Sequence, residues 1–334
     1  PQTRTSNRKM GVISPVEFHP QPPNMNLKPQ DGGDLPLPGS SPGRRRRLTP
    51  PPVPAADASR PLPSRQRCLG SLAVSPIGYH LVLRLADDRV IAPSRGERRR
   101  WARQLGALSR VFPVIAWKLA DTHLHVVQLV DDREFVRRLR IWVTRSLKLG
   151  VPLEVQRHKP LAGQSHLVNA FHYTLRQDRH HGLELDTFHE ASSLPDTLGL
   201  RLLAPELPTR VKEHLPRMSR HELLAHLGVD TLEEALHVDH LAPSARAILA
   251  LDELGRDDHS YRARRAAVGA ARQLGPAALA TTLGITPQGA CRLAKLVPPP
   301  RELRAVRLQM ALHAALGATP DLGLVSEPAI PYEA

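Results

Sequence analysis

Two histidines separated by one residue are the first place in this chain where chemistry can be read. The segment runs Asp121-Thr122-His123-Leu124-His125-Val126-Val127. As a β-strand it would turn both imidazoles to one face and Leu124 to the other. Two adjacent neutral imidazoles form a partial site for a divalent cation. A chain with 17 histidines yields about one such pair by chance, so the pair needs its context. That context is a second segment, Phe171-His172-Tyr173-Thr174-Leu175-Arg176-Gln177, which reads as helix. There Tyr173 and Gln177 are four apart and share a helical face. The Gln177 amide oxygen is a candidate third metal ligand, and a phenol beside that metal makes Tyr173 a candidate nucleophile. The plain alternatives are solvated histidines on a strand edge and a tyrosine with its ring in the core.

The elements that must position these groups follow from periodicity. Residues 77–85 alternate loosely and carry β-branched and aromatic residues, which predicts a strand; 114–120 and 122–130 are two further strand candidates joined by a tight turn near Asp121, and a short fourth is expected at Leu153–Arg157. Ser94 can cap a helix to Phe112, where Trp101, Leu105 and Leu108 recur at spacings of four and three. Asp131 or Asp132 can cap another to about Lys148, buried through Phe135, Leu139, Trp142 and Val143. A third runs from Gln164 to about His180. The order β-α-β-β-α-β-α predicts an α+β fold, a ferredoxin-like antiparallel sheet with helices on one face.

Composition bounds the partners. The 334 residues hold 46 Lys and Arg against 32 Asp and Glu, a net charge of +14. That excess points to an anionic partner, with nucleic acid ahead of a membrane surface. No apolar run of about 18 residues exists, which excludes a spanning helix in the sequence. Cys68 and Cys291 are too few for a disulfide framework or a four-thiolate zinc site, and a cytosolic, nucleoid-associated chain is expected. The first 67 residues hold 15 of the 33 prolines and one aromatic residue, Phe18, and are read as a disordered basic tail with a run at Arg44–Arg47. Arg98, Arg99, Arg100 and Arg103 crowd one helix, and Arg137, Arg138, Arg140 and Arg145 the next. Together with Lys159 these are candidate phosphate contacts, or else solvated faces of an Arg-rich protein.

From about Pro205 the texture becomes Ala, Leu, His and Arg in helical spacing. A boundary is therefore placed near 203–208, between a sheet domain over 68–207 and a helical domain over 208–317, with a loose tail at 318–334. The sheet and its helices are expected to be complete by about residue 203. In 276–297, Ala280 and Gly284 are four apart, and Thr286 can cap a helix that has Pro287 in its first turn. This resembles a helix-turn-helix whose second helix would present Gln288, Arg292 and Lys295 to duplex DNA, the alternative being an ordinary helical hairpin.

Histidine-hydrophobic-histidine on a strand, followed by a helix bearing Tyr-x-x-x-Gln, resembles the single-tyrosine HUH transposases, and most closely the REP-associated tyrosine transposases. The likeness covers roughly 75–203: Tyr79-His80-Leu81-Val82-Leu83-Arg84 at the opening strand, Val151-Pro152-Leu153 through His158-Lys159, Tyr173 to Gly182, and Ser192-Ser193-Leu194. Thr122 stands where the family usually has Asn, and Gln177-Asp178 where it often has Asn-Pro. The resemblance implies a Mg²⁺ or Mn²⁺ ion held by His123, His125 and Gln177, with imidazole donors tilting the preference toward Mn²⁺, attack by Tyr173 on a single-stranded or hairpin DNA phosphodiester, and a 5′-phosphotyrosine link; a monomer or homodimer is expected. A second function class is a regulator on the same fold that binds DNA without cutting it.

Overall fold

The computed structural model describes residues 75–177, 186 and 188–318. The Pro-rich tail, Cys68, Asp178 to Gly182 and residues 319–334 lie outside the described residues. Four strands, β1 (Gly78–Leu85), β2 (Val114–Leu119), β3 (His123–Gln128) and β4 (Leu153–Leu161), form one antiparallel sheet in the order β2-β3-β1-β4. Helix α1 (Arg95–Val111) joins β1 to β2, and α2 (Arg133–Trp142) joins β3 to β4. Ser94 starts α1 with a reciprocal capping box to Glu97, and Asp132 caps α2 by accepting from the Glu134 amide. A π-type turn, Val143–Leu147, ends the α2 segment on Lys148 at φ 51°. β4 runs four residues beyond its expected end, as an edge strand whose charged residues Arg157 and Lys159 carry no apolar alternation to be read.

Helices pack on both faces of the sheet, not on one. Leu81, Leu83, Trp117, Leu124 and Val126 point to the face covered by α1 and α2, where they meet Trp101, Leu105, Phe135 and Leu139. Ile115, Ala116, Val127 and Leu161 point the other way, to α3 (Gln164–Leu175) through Leu167, Ala170 and Phe171. Strand alternation requires this split, because β1, β2 and β3 are buried on both sides. The free edge of β2 is closed by residues 191–193: the Leu119 amide donates to the Ala191 carbonyl at 2.8 Å and the Ser193 amide to the Trp117 carbonyl at 2.9 Å. Asp196, in α4 (Leu194–Thr197), holds this strap. Its fully buried carboxylate accepts from Arg201 Nε and Nη2 and from the amides of Leu203 and Ala204.

The second core does not stop at 203–208. Val211 of α5 (Leu207–His214), Leu223 and Leu224 of α6 (Arg220–Ala225), and Leu308 and Leu312 of α11 (Pro300–Ala318) belong to the same cluster as Ile115 and Phe171. Arg210 Nη1 ties α5 to the end of α1 through the carbonyls of Ser109, Phe112 and Val114. A third core gathers α7 (Leu241–Ala247), α8 (Asp258–Ala270), α9 (Pro276–Leu283), α10 (Pro287–Ala294) and α11. The described residues all fall within one compact unit. Among the described residues no helix is long and apolar enough to cross a membrane.

Between α9 and α10 the chain turns at Gly284, φ 61°, whose amide donates to the Ala280 carbonyl; a side chain there would be strained. Thr286 then caps α10 by accepting from the Gly289 amide at 3.0 Å. Ala290 and Leu293 face inward, while Gln288, Arg292 and Lys295 are exposed along one stripe.

Candidate functional site

The sheet face under α3 gathers the imidazoles. His123 and His125 alternate with Leu124 and Val126, so both leave the α1/α2 core and point toward α3. Their ring centroids are 6.2 Å apart, and the His125 ring is 5.8 Å from that of Tyr173, edge to face. The Thr122 hydroxyl lies 2.8 Å from His123 Nδ1. Tyr173 is half-buried on α3, beside the stripe of Leu167, Ala170, Phe171 and Thr174 that packs into the core.

His80 on β1 completes the group. Its Nε2 sits 3.2 Å from His125 Nδ1, the two rings are stacked at 5.4 Å, and Tyr173 packs edge-on to His80 at 5.7 Å. Burial, then the nearby cations Arg157, Lys159 and His166, lowers the His80 pKa to about 4. His80 is therefore a neutral imidazole at neutral pH. Its place between Tyr79 and Leu81 in an apolar strand hid it; the alternation that put Leu81 and Leu83 in one core was the signal that His80 and Val82 face the other.

Gln177 follows α3 after a single turn residue, Arg176, and is itself helical. The fully buried Gln177 side chain folds back, its Nε2 donating to the Tyr173 carbonyl at 2.8 Å, and leaves Oε1 without a hydrogen-bond partner. Among the described residues no group of three His, Cys, Asp or Glu side chains is placed to hold a metal ion. The orphaned amide oxygen of Gln177 is a candidate third donor beside His123 and His125.

The basic residues separate into three kinds. Lys159 pairs across the strands with His80, and Arg157 with Val82, so both edge the histidine face. Lys118 is the register partner of His125, fully buried, with Nζ 3.4 Å from His189 Nδ1. Arg99 and Arg103, expected to contact nucleic acid, are structural instead. Arg99 is buried, donating to Glu190 at 2.7 Å and to the Leu251 carbonyl at 2.6 Å, and Arg103 donates to the Ala250 carbonyl. Arg98 is half-buried beside them with Nε unpaired. Arg137 and Arg138 are exposed, but they share the Glu134 carboxylate at 2.5 and 2.9 Å on α2. The sheet stands between that helix and Tyr173. Gln288, Arg292 and Lys295 are exposed on α10, away from the three imidazoles in sequence and in core.

The arrangement therefore offers one phenol, three imidazoles of which at least His80 is neutral, an orphaned amide oxygen, and a cationic edge. That set can bind a phosphodiester and present a nucleophile to it. No protein-family model, curated protein or solved structure matches the chain.

Proposed function

We propose that this protein is a metal-dependent single-strand DNA endonuclease and strand transferase, a single-tyrosine transposase acting at hairpin-flanked sites. The observation that carries the reading is the convergence of His123, His125 and Tyr173 on one sheet face, with rings 5.8–6.2 Å apart. The element order and the strand order β2-β3-β1-β4 support a ferredoxin-like HUH domain. The α9–α10 turn, with Gly284 and the Thr286 cap, supports a helix-turn-helix that adds contacts to duplex DNA.

In the mechanism, His123, His125 and Gln177 would hold a Mg²⁺ or Mn²⁺ ion, which when bound supplies Lewis-acid polarisation of a non-bridging phosphate oxygen. Lys159 and Arg157 hold the DNA backbone against the β4 edge. The Tyr173 Oη attacks phosphorus in line. As the Oη–P bond forms and the phenol gives up its proton, the P–O3′ bond breaks and the departing oxygen takes up a proton. The products are a 5′-phosphotyrosine and a free 3′-hydroxyl. One phosphodiester is exchanged for another, so a later 3′-hydroxyl reverses the step without ATP.

A second reading, DNA binding without cleavage, is favoured by the turn at Arg176 between α3 and Gln177. One experiment separates the two. Labelled hairpin-containing single strands are incubated with Mn²⁺ and run on a denaturing gel. A covalent protein–DNA adduct that maps to Tyr173 supports the transferase; tight binding with no adduct on any hairpin flanking the coding region supports the regulator.

A further inference from the structure

A cavity of about 180 Å³ lies away from the histidines, among α1, the 188–201 strap, α7 and α11. Four guanidinium groups line it, Arg95, Arg99, Arg201 and Arg246, and among the described lining residues Glu190 is the only carboxylate. Three of the four are already committed. Arg95 grips Glu190 with Nε and Nη2 at 2.8 and 2.7 Å, Arg99 reaches the same carboxylate at 2.7 Å, and Arg201 is held by Asp196.

Arg246 is different. Its recorded bond is a long one, 3.5 Å from Nη1 to the Asp252 backbone carbonyl, and its Nε is buried without a partner. Among the described residues it has no carboxylate partner. Two more polar atoms of the lining are orphaned, Arg99 Nε and Gln309 Oε1, and both residues are more than nine-tenths buried. Unpartnered buried polar atoms are uncommon, and three around one cavity mark a place suited to a polar ligand. The local field has a sign. Burial first, then His240, Arg95 and Arg246, push the His313 imidazole on the cavity wall toward its neutral form against the opposing Glu190, and hold its pKa near 4.

We infer that this cavity binds a terminal phosphomonoester group, with Arg246 as its principal cationic contact. Phosphate oxygens meet the two guanidinium donors left unpaired, Arg246 Nε and Arg99 Nε. A P–OH of the singly protonated phosphate, or a neighbouring sugar hydroxyl, donates to Gln309 Oε1. At about 180 Å³ the cavity has room for a phosphate group. Phe188, whose ring centroid is 4.5 Å from that of His313, offers an apolar edge at the same wall for whatever the phosphate carries.

The site is independent of the proposed strand transfer, and its test can be read without that activity. The full chain is titrated calorimetrically with inorganic phosphate, with a deoxynucleoside 5′-monophosphate and with a short 5′-phosphorylated oligonucleotide. At least one phosphate arm should bind, with the same oligonucleotide lacking its 5′-phosphate at least tenfold weaker. Inorganic phosphate alone binding points to a free-ion site; stronger binding of the nucleotide or oligonucleotide points to a nucleic acid end. Arg246→Gln should weaken binding at least tenfold, and so should Ala247→Asp, which sets a carboxylate on the cavity wall without touching an internal bond. His125→Ala should leave it unchanged. No binding in any arm, full binding by both cavity variants, or loss in His125→Ala instead would overturn the assignment.

Discussion

His80 Nε2 and His125 Nδ1 are 3.2 Å apart, and one of the two must donate. If His125 uses its Nε2 lone pair as a ligand, its proton sits on Nδ1 and His80 Nε2 accepts it. This is how an outer partner fixes the tautomer of a metal-binding histidine. His80 is suited to accept because burial and the nearby cations keep it neutral. His80 is thus a positioning residue. His80→Leu is expected to lower Mn²⁺ affinity about 10–100-fold. His80→Gln, whose amide oxygen can still accept from Nδ1, is expected to recover part of that loss. Affinity for single-stranded DNA without metal should not change. Equal behaviour of the Leu and Gln variants would leave the residue a packing role only.

Tyr173→Phe keeps the ring against His80 and His125 and removes only the hydroxyl. The stability cost is expected at about 1–2 kcal/mol or less, the value of one hydrogen bond. Adduct formation should vanish while hairpin binding persists. His123→Ala should also abolish metal-dependent cleavage while sparing binding, because the cationic residues of β4 are untouched. Peptide mapping of a trapped adduct to Tyr79 or Tyr261 would defeat the assignment.

The strands, α1 and the start of α2 could be read from alternation, caps and 3.6-residue spacing, since those signals are local. The two-faced packing could not. Ile115 and Val127 lie in apolar runs that do not say what covers their second face, and only the long-range packing shows that α3 does. The histidine pair was legible because period two is enough to place His123 and His125 together. His80 joined them through a strand 45 residues away in sequence. Arginine roles were the least legible. Arg98, Arg99 and Arg100 are adjacent and alike, yet only Arg99 points inward to Glu190, because it lies a helical turn from the buried Ala102 and Gly106. At Gly106 an added Cβ would come within 2.5 Å of the Leu203 side chain, so that face admits no bulk.

The exposed stripe Gln288, Arg292 and Lys295 makes a prediction about salt. If α10 enters a major groove, Arg292→Ala with Lys295→Ala should weaken duplex binding. It should also flatten the slope of log K against log salt by roughly one for each phosphate that the variant no longer neutralises. Hairpin cleavage should be spared. Fluorescence anisotropy across a salt series measures both terms, and an unchanged slope would make α9–α10 an ordinary hairpin.

Cutting the chain after residue 207 should not give a folded sheet domain. The cut removes Val211, Leu215, Leu223, Leu224, Leu308 and Leu312 from the core that holds Ile115 and Phe171. Each buried leucine contributes on the order of 1.5–3 kcal/mol, so the sum rivals the whole stability of a typical domain. A 75–207 fragment is expected to aggregate or to bind hydrophobic dye, whereas 75–318 should unfold cooperatively. A monomeric 75–207 fragment with a sharp melting transition would show that the sheet needs no helical cover.

Acid should destabilise the protein in two overlapping windows. His313 has its pKa lowered from 6.5 to about 4 by burial first, then by His240 and Arg95. Between those values the unfolded chain binds a proton that the native chain refuses, so stability is full above pH 6.5 and falls as pH drops toward 4. His80 shares this window. Glu190 acts lower: burial raises its carboxyl pKa, but hydrogen bonds from Arg95 and Arg99 prevail and hold it at about 2 against an ordinary 4.5. Its contribution is full above pH 4.5 and is lost as pH falls toward 2. Urea midpoints at pH 7, 5.5 and 3.5 should therefore decline in two stages. His313→Phe, which keeps a ring against Phe188, should shrink the first stage by His313's share. Glu190→Gln should shrink the second, and it should lower stability at pH 7 as well, because buried Arg99 then keeps its charge without its carboxylate. A flat profile from pH 7 to 5.5 in the parent chain would mean that neither histidine resists protonation in the folded state.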